Sequence, residues 1–197
     1  MKEDQLAKIA EEVRSCKRCG LWRGRTNPVP GEGSANPLVM FVGEAPGRNE
    51  DLQGRPFVGA AGKLLDSLLA GIGLSRREVF IGNILKCRPP NNRDPLPSEI
   101  EACTPFLDRQ IEVLKPKIIV ALGRFSAGYL LSKAGLKPGS LPSIRGRIMK
   151  VNLLGLSLSF MATFHPAAAL YNPKLKKALE EDFGVLGGWL KLSGSMA

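Results

Sequence analysis

Four short apolar runs, separated by helix-patterned segments, constrain this chain more than any other feature. They are PLVMFVGE (37–44), EVFIGNILKC (78–87), KIIVALG (117–123) and SFMATFHP (159–166). Runs of that length and composition suit strands buried on both faces. Between them lie AAGKLLDSLLAGIG (60–73), PSEIEACTPFLDRQIEVLK (97–115) and RFSAGYLLSKAG (124–135), which read as helices. In the second of these, Ile100, Cys103, Leu107, Ile111 and Leu114 fall on one face. Strands alternating with helices predict an α/β fold around a mostly parallel sheet. Lys2 to Ser15 adds an amphipathic helix with Leu6, Ile9, Ala10 and Val13 on one face. IMKVNLLG (148–155) reads as an additional strand and 172–192 as a terminal helix.

The length, 197 residues, fits one domain with a sizeable core, taken here as 1–197. No apolar run is long enough to cross a bilayer. The N-terminal stretch mixes charges with a helical pattern and has no signal-peptide core. The expectation is a soluble, cytoplasmic protein. Its formal net charge is +10, spread through Gly/Pro-rich segments such as GRTNPVPG, RPPNNRDP and SIRGRIMK. Scattered cations solvate a surface; carried on several loops, they also favour a polyanion partner.

The four cysteines are Cys16, Cys19, Cys87 and Cys103. Two structural disulfides do not suit an intracellular chain. Four thiolates close a tetrahedral zinc site or hold an iron–sulfur cluster. Zinc sites of this type usually pair two C-x2-C knuckles, and only Cys16 and Cys19 have that form. Cys87 follows a strand and Cys103 sits inside a helix, a scatter suited to a bulkier cluster. Four ordinary buried thiols are the plainer alternative. Lys17 and Arg18, between the first two, argue against a core position.

GEAPG (43–47) ends the first apolar run in a turn. Such a turn is common, yet it leaves backbone N–H groups at a strand end, where an anion or carbonyl docks. It has neither the G-x-G-x-x-G spacing nor the GK[ST] of nucleotide-binding loops. His165, the only histidine, has no G-x-S-x-G nucleophile to serve. Alone it can donate to an oxygen that gains charge in a transition state. Asn83 offers donors and an acceptor suited to a base edge, and Phe57 a face for stacking. Singly, each is better read as a packing or turn residue. Together, at the ends of successive elements, they describe a base pocket.

CKRC, VPGEG, GEAPG-x-x-ED-x-x-GRPFVG-x-AG-x-LL, GNILKCRPPNNRDP, the Cys103 helix, KIIVALG and FHPAAAL occur in this order along nearly the whole chain. The set resembles the family 4 uracil-DNA glycosylases. That resemblance implies a three-layer α/β/α fold with a central, mostly parallel four-stranded sheet. It implies a structural [4Fe-4S] cluster on Cys16, Cys19, Cys87 and Cys103. It implies a uracil pocket formed by Gly43, Glu44, Ala45, Gly47, Phe57, Asn83 and His165. Phe57 would stack on the base, Asn83 read its O4 and N3 edge, and His165 reach O2. Ala45 stands where related families place an Asp or Asn for the attacking water, which leaves Glu44 and Glu50 as nearby carboxylates. Glu50 is alternatively a wall against the thymine methyl. GEAPG differs from the GLAPG of a broader-acting relative. The inserted basic loop of a covalently trapping relative is absent between Arg88 and Cys103.

The implied reaction is base excision repair of deaminated cytosine, leaving an abasic site. The implied partner is uracil-containing DNA, single- or double-stranded, bound by a monomer in a prokaryotic cytoplasm. Arg88, Arg145 and Arg147 are candidate phosphate contacts, chosen from loop arginines that also include Arg48, Arg55 and Arg93. Leu170, with Tyr171 second, is the candidate for filling the gap left by a flipped base. No clear motif for a sliding clamp is present. The rival reading is a non-catalytic metal-cluster module that binds DNA.

Overall fold

The computed structural model describes residues 1–193. The four apolar runs form β2 (Val39–Gly43), β3 (Phe80–Asn83), β4 (Ile118–Leu122) and β6 (Leu156–Thr163). These four are mutually parallel and adjacent in the order β3, β2, β4, β6. All five residues of β2 and of β4 are buried. Successive side chains of a strand point to opposite faces, and β2 follows that rule. Val39 and Phe41 enter one core, while Met40 and Val42 enter the other.

Helices cover both faces. On one side α1 (Lys2–Ser15), α4 (Pro97–Leu114) and α5 (Arg124–Lys133) supply Ile9, Val13, Leu107, Ile111 and Leu130. On the other, α3 (Ala60–Gly71) and α8 (Pro173–Leu192) supply Leu65, Leu69, Phe183 and Leu186. Phe41 of β2 stacks on Phe183 of α8 with ring centroids 5.8 Å apart. The layers are α/β/α, as expected. Three short helices complete the set: α2 (Arg48–Gln53), α6 (Leu141–Ile144) and α7 (Pro166–Ala169).

The sheet has six strands, not four. β1 (Glu32–Gly33) pairs antiparallel with β3, and β5 (Met149–Leu153) pairs antiparallel with β6. β5 alternates buried and exposed residues, the pattern of an edge. It returns into β6 through Leu154 and Gly155, both at positive φ, the backbone of a tight hairpin turn. β1 is two residues long, too short for any periodicity to mark it. Because β2, β3, β4 and β6 are parallel, their carboxyl ends share one side of the sheet. That is where an open α/β sheet places its ligand.

Candidate active site

Beyond those ends lies a cleft of about 360 Å³, lined by Glu44, Ala45, Gly47, Glu50, Phe57, Asn83 and His165 among others. Gly43 lies directly beneath it. A Cβ there would stand 2.4 Å from Asn83 Oδ1 and 2.7 Å from the Phe57 ring, so only glycine lets both pack across the strand end. Beyond Asn83 the chain stays paired: Ile84 N–H donates to Gly43 O and Leu85 N–H to Glu44 O, each at 3.0 Å. This holds the end of β3 beside GEAPG. Asn83 is 2 % exposed, and its Oδ1 is buried with no hydrogen-bond partner among the described residues. A buried orphan of this kind is costly unless a ligand satisfies it.

Phe57 adopts φ of 51°, a left-handed conformation that a bulky residue rarely takes. Arg76 holds it there. Its guanidinium donates to Phe57 O (2.9 Å) and Pro56 O (2.6 Å) while pairing with Glu32 (2.8 Å) and Asp66 (3.0 Å). Gly62 of α3 lets the helix lie against that peptide, since a Cβ would sit 1.8 Å from Phe57 O. Glu50 closes the ring from the other side. One carboxylate oxygen accepts from Val58 N and Gly59 N, both at 2.9 Å, and the other from Gly47 N at 3.1 Å. Glu50 thus ties GEAPG to the Phe57 loop. Three backbone donors occupy its oxygens, which does not suit the base role considered for it.

His165 stacks near Phe57, with ring centroids 5.3 Å apart. It caps α7: its Nδ1 accepts from Ala167 N–H at 3.1 Å. Nδ1 is therefore unprotonated, and the neutral ring carries its proton on Nε2. Burial pushes the imidazole pKa down to about 4, although the Glu50 charge acts the other way. Near neutrality His165 is a neutral donor. The Glu44 carboxyl is raised above its usual range by burial and by Asp94, with Arg124 opposing.

The four cysteines are free thiols that line one small cavity between α1, α4 and the segment after β3. Cys87 and Cys103 are buried, and Cys16 and Cys19 partly so. Arg25 Nη1 donates to Cys87 Sγ and Lys86 N–H to Cys103 Sγ, both at 3.2 Å. Burial raises both thiols, Cys103 to about 12. Donors aimed at sulfur and the neighbouring Arg18 and Lys86 suit an anionic thiolate centre. Among the described residues no group of three or more His, Cys, Asp or Glu side chains is arranged to hold a single metal ion.

The sequence profile of the Uracil DNA glycosylase superfamily matches residues 30–184. The chain belongs to this superfamily. It is 58 % identical over 181 residues to the Type-4 uracil-DNA glycosylase of Sulfurisphaera tokodaii, covering 91 % of this chain and 82 % of that protein. It is 55 % identical over 181 residues to the Type-4 uracil-DNA glycosylase of Saccharolobus solfataricus, covering 91 % and 84 %. Against the Type-5 uracil-DNA glycosylase of Thermus thermophilus the identity is 33 % over 160 residues, covering 72 % of each chain.

On this member of the glycosylase superfamily, the candidate DNA contacts divide. Arg147 and Arg48 are exposed, and Arg88 is partly so, donating to Asn92 Oδ1 at 2.7 Å. Arg145 requires correction. Its guanidinium is committed to Asp182, Glu181 and Ala178 O and lies over the Phe164 ring. Asp182, 3 % exposed, also accepts from Thr163. A cation holding a buried carboxylate is not free to grip a phosphate. Arg55 is likewise paired with Glu32, at 2.8 Å. Arg93 lines the cleft, held by Glu99. Leu170 is partly buried, whereas Tyr171 is 94 % exposed. Arg76, Lys86 and Gln110, which shape the site from behind, carry no sequence signal of their own. No helix of the described residues is long and apolar enough to cross a membrane.

Proposed function

We propose that this chain excises uracil from DNA by hydrolysing its N-glycosidic bond, releasing the free base and leaving an abasic site. The buried, unpartnered Asn83 Oδ1 at the floor of the cleft carries this reading. A carboxamide fixed in that way pairs with a base edge that offers one donor and one acceptor side by side, as uracil N3–H and O4 do. Phe57 supplies the stacking face. The match to Type-4 relatives supports the same assignment.

A base must leave the helix before a cleft of this kind can close on it. As the glycosidic bond stretches, uracil departs as an anion and the sugar becomes cationic. The Nε2–H of neutral His165 and the GEAPG amides not already given to Glu50 stabilise the charge on O2. Water adds to the sugar from solution. Glu44 is the cleft carboxyl whose oxygens accept no hydrogen bond from the described residues, so it is the candidate to orient that water. Ala45 leaves room beside it. Tyr171, the more exposed of the two candidates, is assigned to the space the base vacates.

Cys16, Cys19, Cys87 and Cys103 are assigned to a [4Fe-4S] cluster. Bound there it would pin α1 and α4 to the segment after β3, with no redox part in base removal.

A duplex carrying one uracil tests the reading. Free uracil and an alkali-labile site are expected. Tight DNA binding without base release would replace this reading with that of a non-catalytic binding module.

A further inference from the structure

Lys86 is sealed inside the protein, 1 % exposed, and no step above uses it. It lies three residues after Asn83 and directly before Cys87. Its Nζ donates to Asn83 O at 3.0 Å and to Gln110 Oε1 at 2.8 Å. Gln110 in turn donates through Nε2 to Pro30 O at 2.8 Å. Both side chains are buried, so the chain of bonds is shielded from water. Gln110 sits on α4 about two turns beyond Cys103, close to the same face. The Lys86 backbone is fixed as well: its N–H donates to Cys103 Sγ and its carbonyl accepts from Val29 N–H at 2.7 Å.

A buried ammonium is expensive, and an apolar side chain of similar length would fill this space at less cost. What methionine lacks is the ability to clamp two acceptors. One belongs to the residue that faces the base; the other belongs to the helix that carries a cluster cysteine. We infer that Lys86 is a positioning residue that locks the Asn83 peptide to α4, so that the Cys103 helix sets how the Asn83 carboxamide meets the base. This rests on the uracil reading above and deepens it. The helix that carries Cys103 then acts on uracil binding through two buried side chains, Lys86 and Gln110, without touching substrate.

The test compares Lys86→Met, Gln110→Leu, Gln110→Glu and the double variant Lys86→Met/Gln110→Leu with wild type. Four quantities are read: the Kd for free uracil by calorimetry, single-turnover uracil release, the melting temperature, and visible absorbance of the purified protein. Lys86→Met is expected to weaken uracil binding about tenfold, because the loosened Asn83 carboxamide pairs less well with the base. Its visible absorbance should match wild type. The double variant still leaves Asn83 O without its donor and also strips Pro30 O of the Gln110 Nε2–H, so it should melt no higher than Lys86→Met and bind uracil no better. Gln110→Glu keeps the acceptor for Nζ and should retain uracil affinity that Gln110→Leu loses. Wild-type uracil affinity in folded Lys86→Met, or affinity returning with stability in the double variant, overturns the inference. If Lys86→Met does not fold, equal uracil affinity in Gln110→Leu and Gln110→Glu overturns it. Wild type that releases no uracil sinks the glycosylase reading and this inference with it; wild-type release with unaltered variants sinks this inference alone.

Discussion

At His165 a single backbone amide decides the chemistry. Ala167 N–H bonds to Nδ1, which leaves Nε2 as the donor, and burial holds the ring neutral down to a pKa of about 4. In the reaction proposed above, such a neutral donor would bind O2 more strongly as the leaving base gains charge. Removing it is expected to slow single-turnover cleavage about a hundred- to a thousand-fold while DNA affinity changes little. His165→Asn, assayed with enzyme in excess, checks this. The same shift gives a stability signature. Below about pH 6.5 the unfolded imidazole takes up a proton that the folded one refuses until about pH 4. Folding stability contributed by the neutral ring is therefore complete above the unfolded pKa and falls as pH drops through this window. Wild type should lose more melting temperature between pH 7 and pH 4.5 than His165→Asn does. An equal loss in both would place the ring in a more solvated setting. Gly43 makes a sharper steric point. Gly43→Ala should displace Phe57 and Asn83 together and abolish uracil release in a protein that still folds.

Among the elements, the central strands were legible because burial on both faces leaves a continuous apolar run, as in Val39–Gly43 and Ile118–Leu122. The turns at their carboxyl ends were legible through Gly, Pro and the lone histidine. What supports those turns was not. Arg76 reaches Phe57 O and Glu32, 19 and 44 residues away, and Gln110 reaches Pro30 O across 80. No local pattern encodes such pairings, because they exist only once α3, α4 and β1 have packed. The positive φ of Phe57 was hidden for a related reason. It is imposed by Arg76 and by the close approach at Gly62, not by a turn-forming residue. Glu50 and Arg145 were noticed for their charge, but the partners that absorb those charges lie on other elements. Arg76→Ala should free the Phe57 loop. The expected result is a loss of about 1–3 kcal/mol in stability with a raised KM for uracil-containing DNA. Asp66→Ala, which removes only the half-exposed partner, should change both little. Thermal melting and steady-state kinetics on the two variants separate these outcomes.

For the molecule as a whole, a net charge of +10 sets the strength of attraction to DNA, and the distribution of partners sets where it acts. Arg48 and Arg147 are exposed, and neither pairs with a carboxylate among the described residues. Arg88 stands at the start of the loop that brings Asn92 and Arg93 to the cleft. Arg145, by contrast, spends its charge on Asp182 and Glu181. Phosphate contacts release counterions, so each one lost should reduce the slope of log affinity against log salt by about 0.9 on duplex DNA. The triple variant Arg48→Ala/Arg88→Ala/Arg147→Ala should therefore flatten the salt dependence by up to about 2.7, equally for DNA with and without uracil. Its melting temperature should stay near that of wild type, because Arg48 and Arg147 are exposed and Arg88 bonds only locally, to Asn92 four residues on. Arg145→Gln should do the reverse. It leaves the buried Asp182 carboxylate without its cation, which destabilises the fold, while the salt slope holds. Titrating a labelled duplex at several salt concentrations, beside a melting curve for each variant, distinguishes the two. A flattened slope in Arg145→Gln with none in the triple variant would move the DNA track from the loops around the cleft to the α8 side of the molecule.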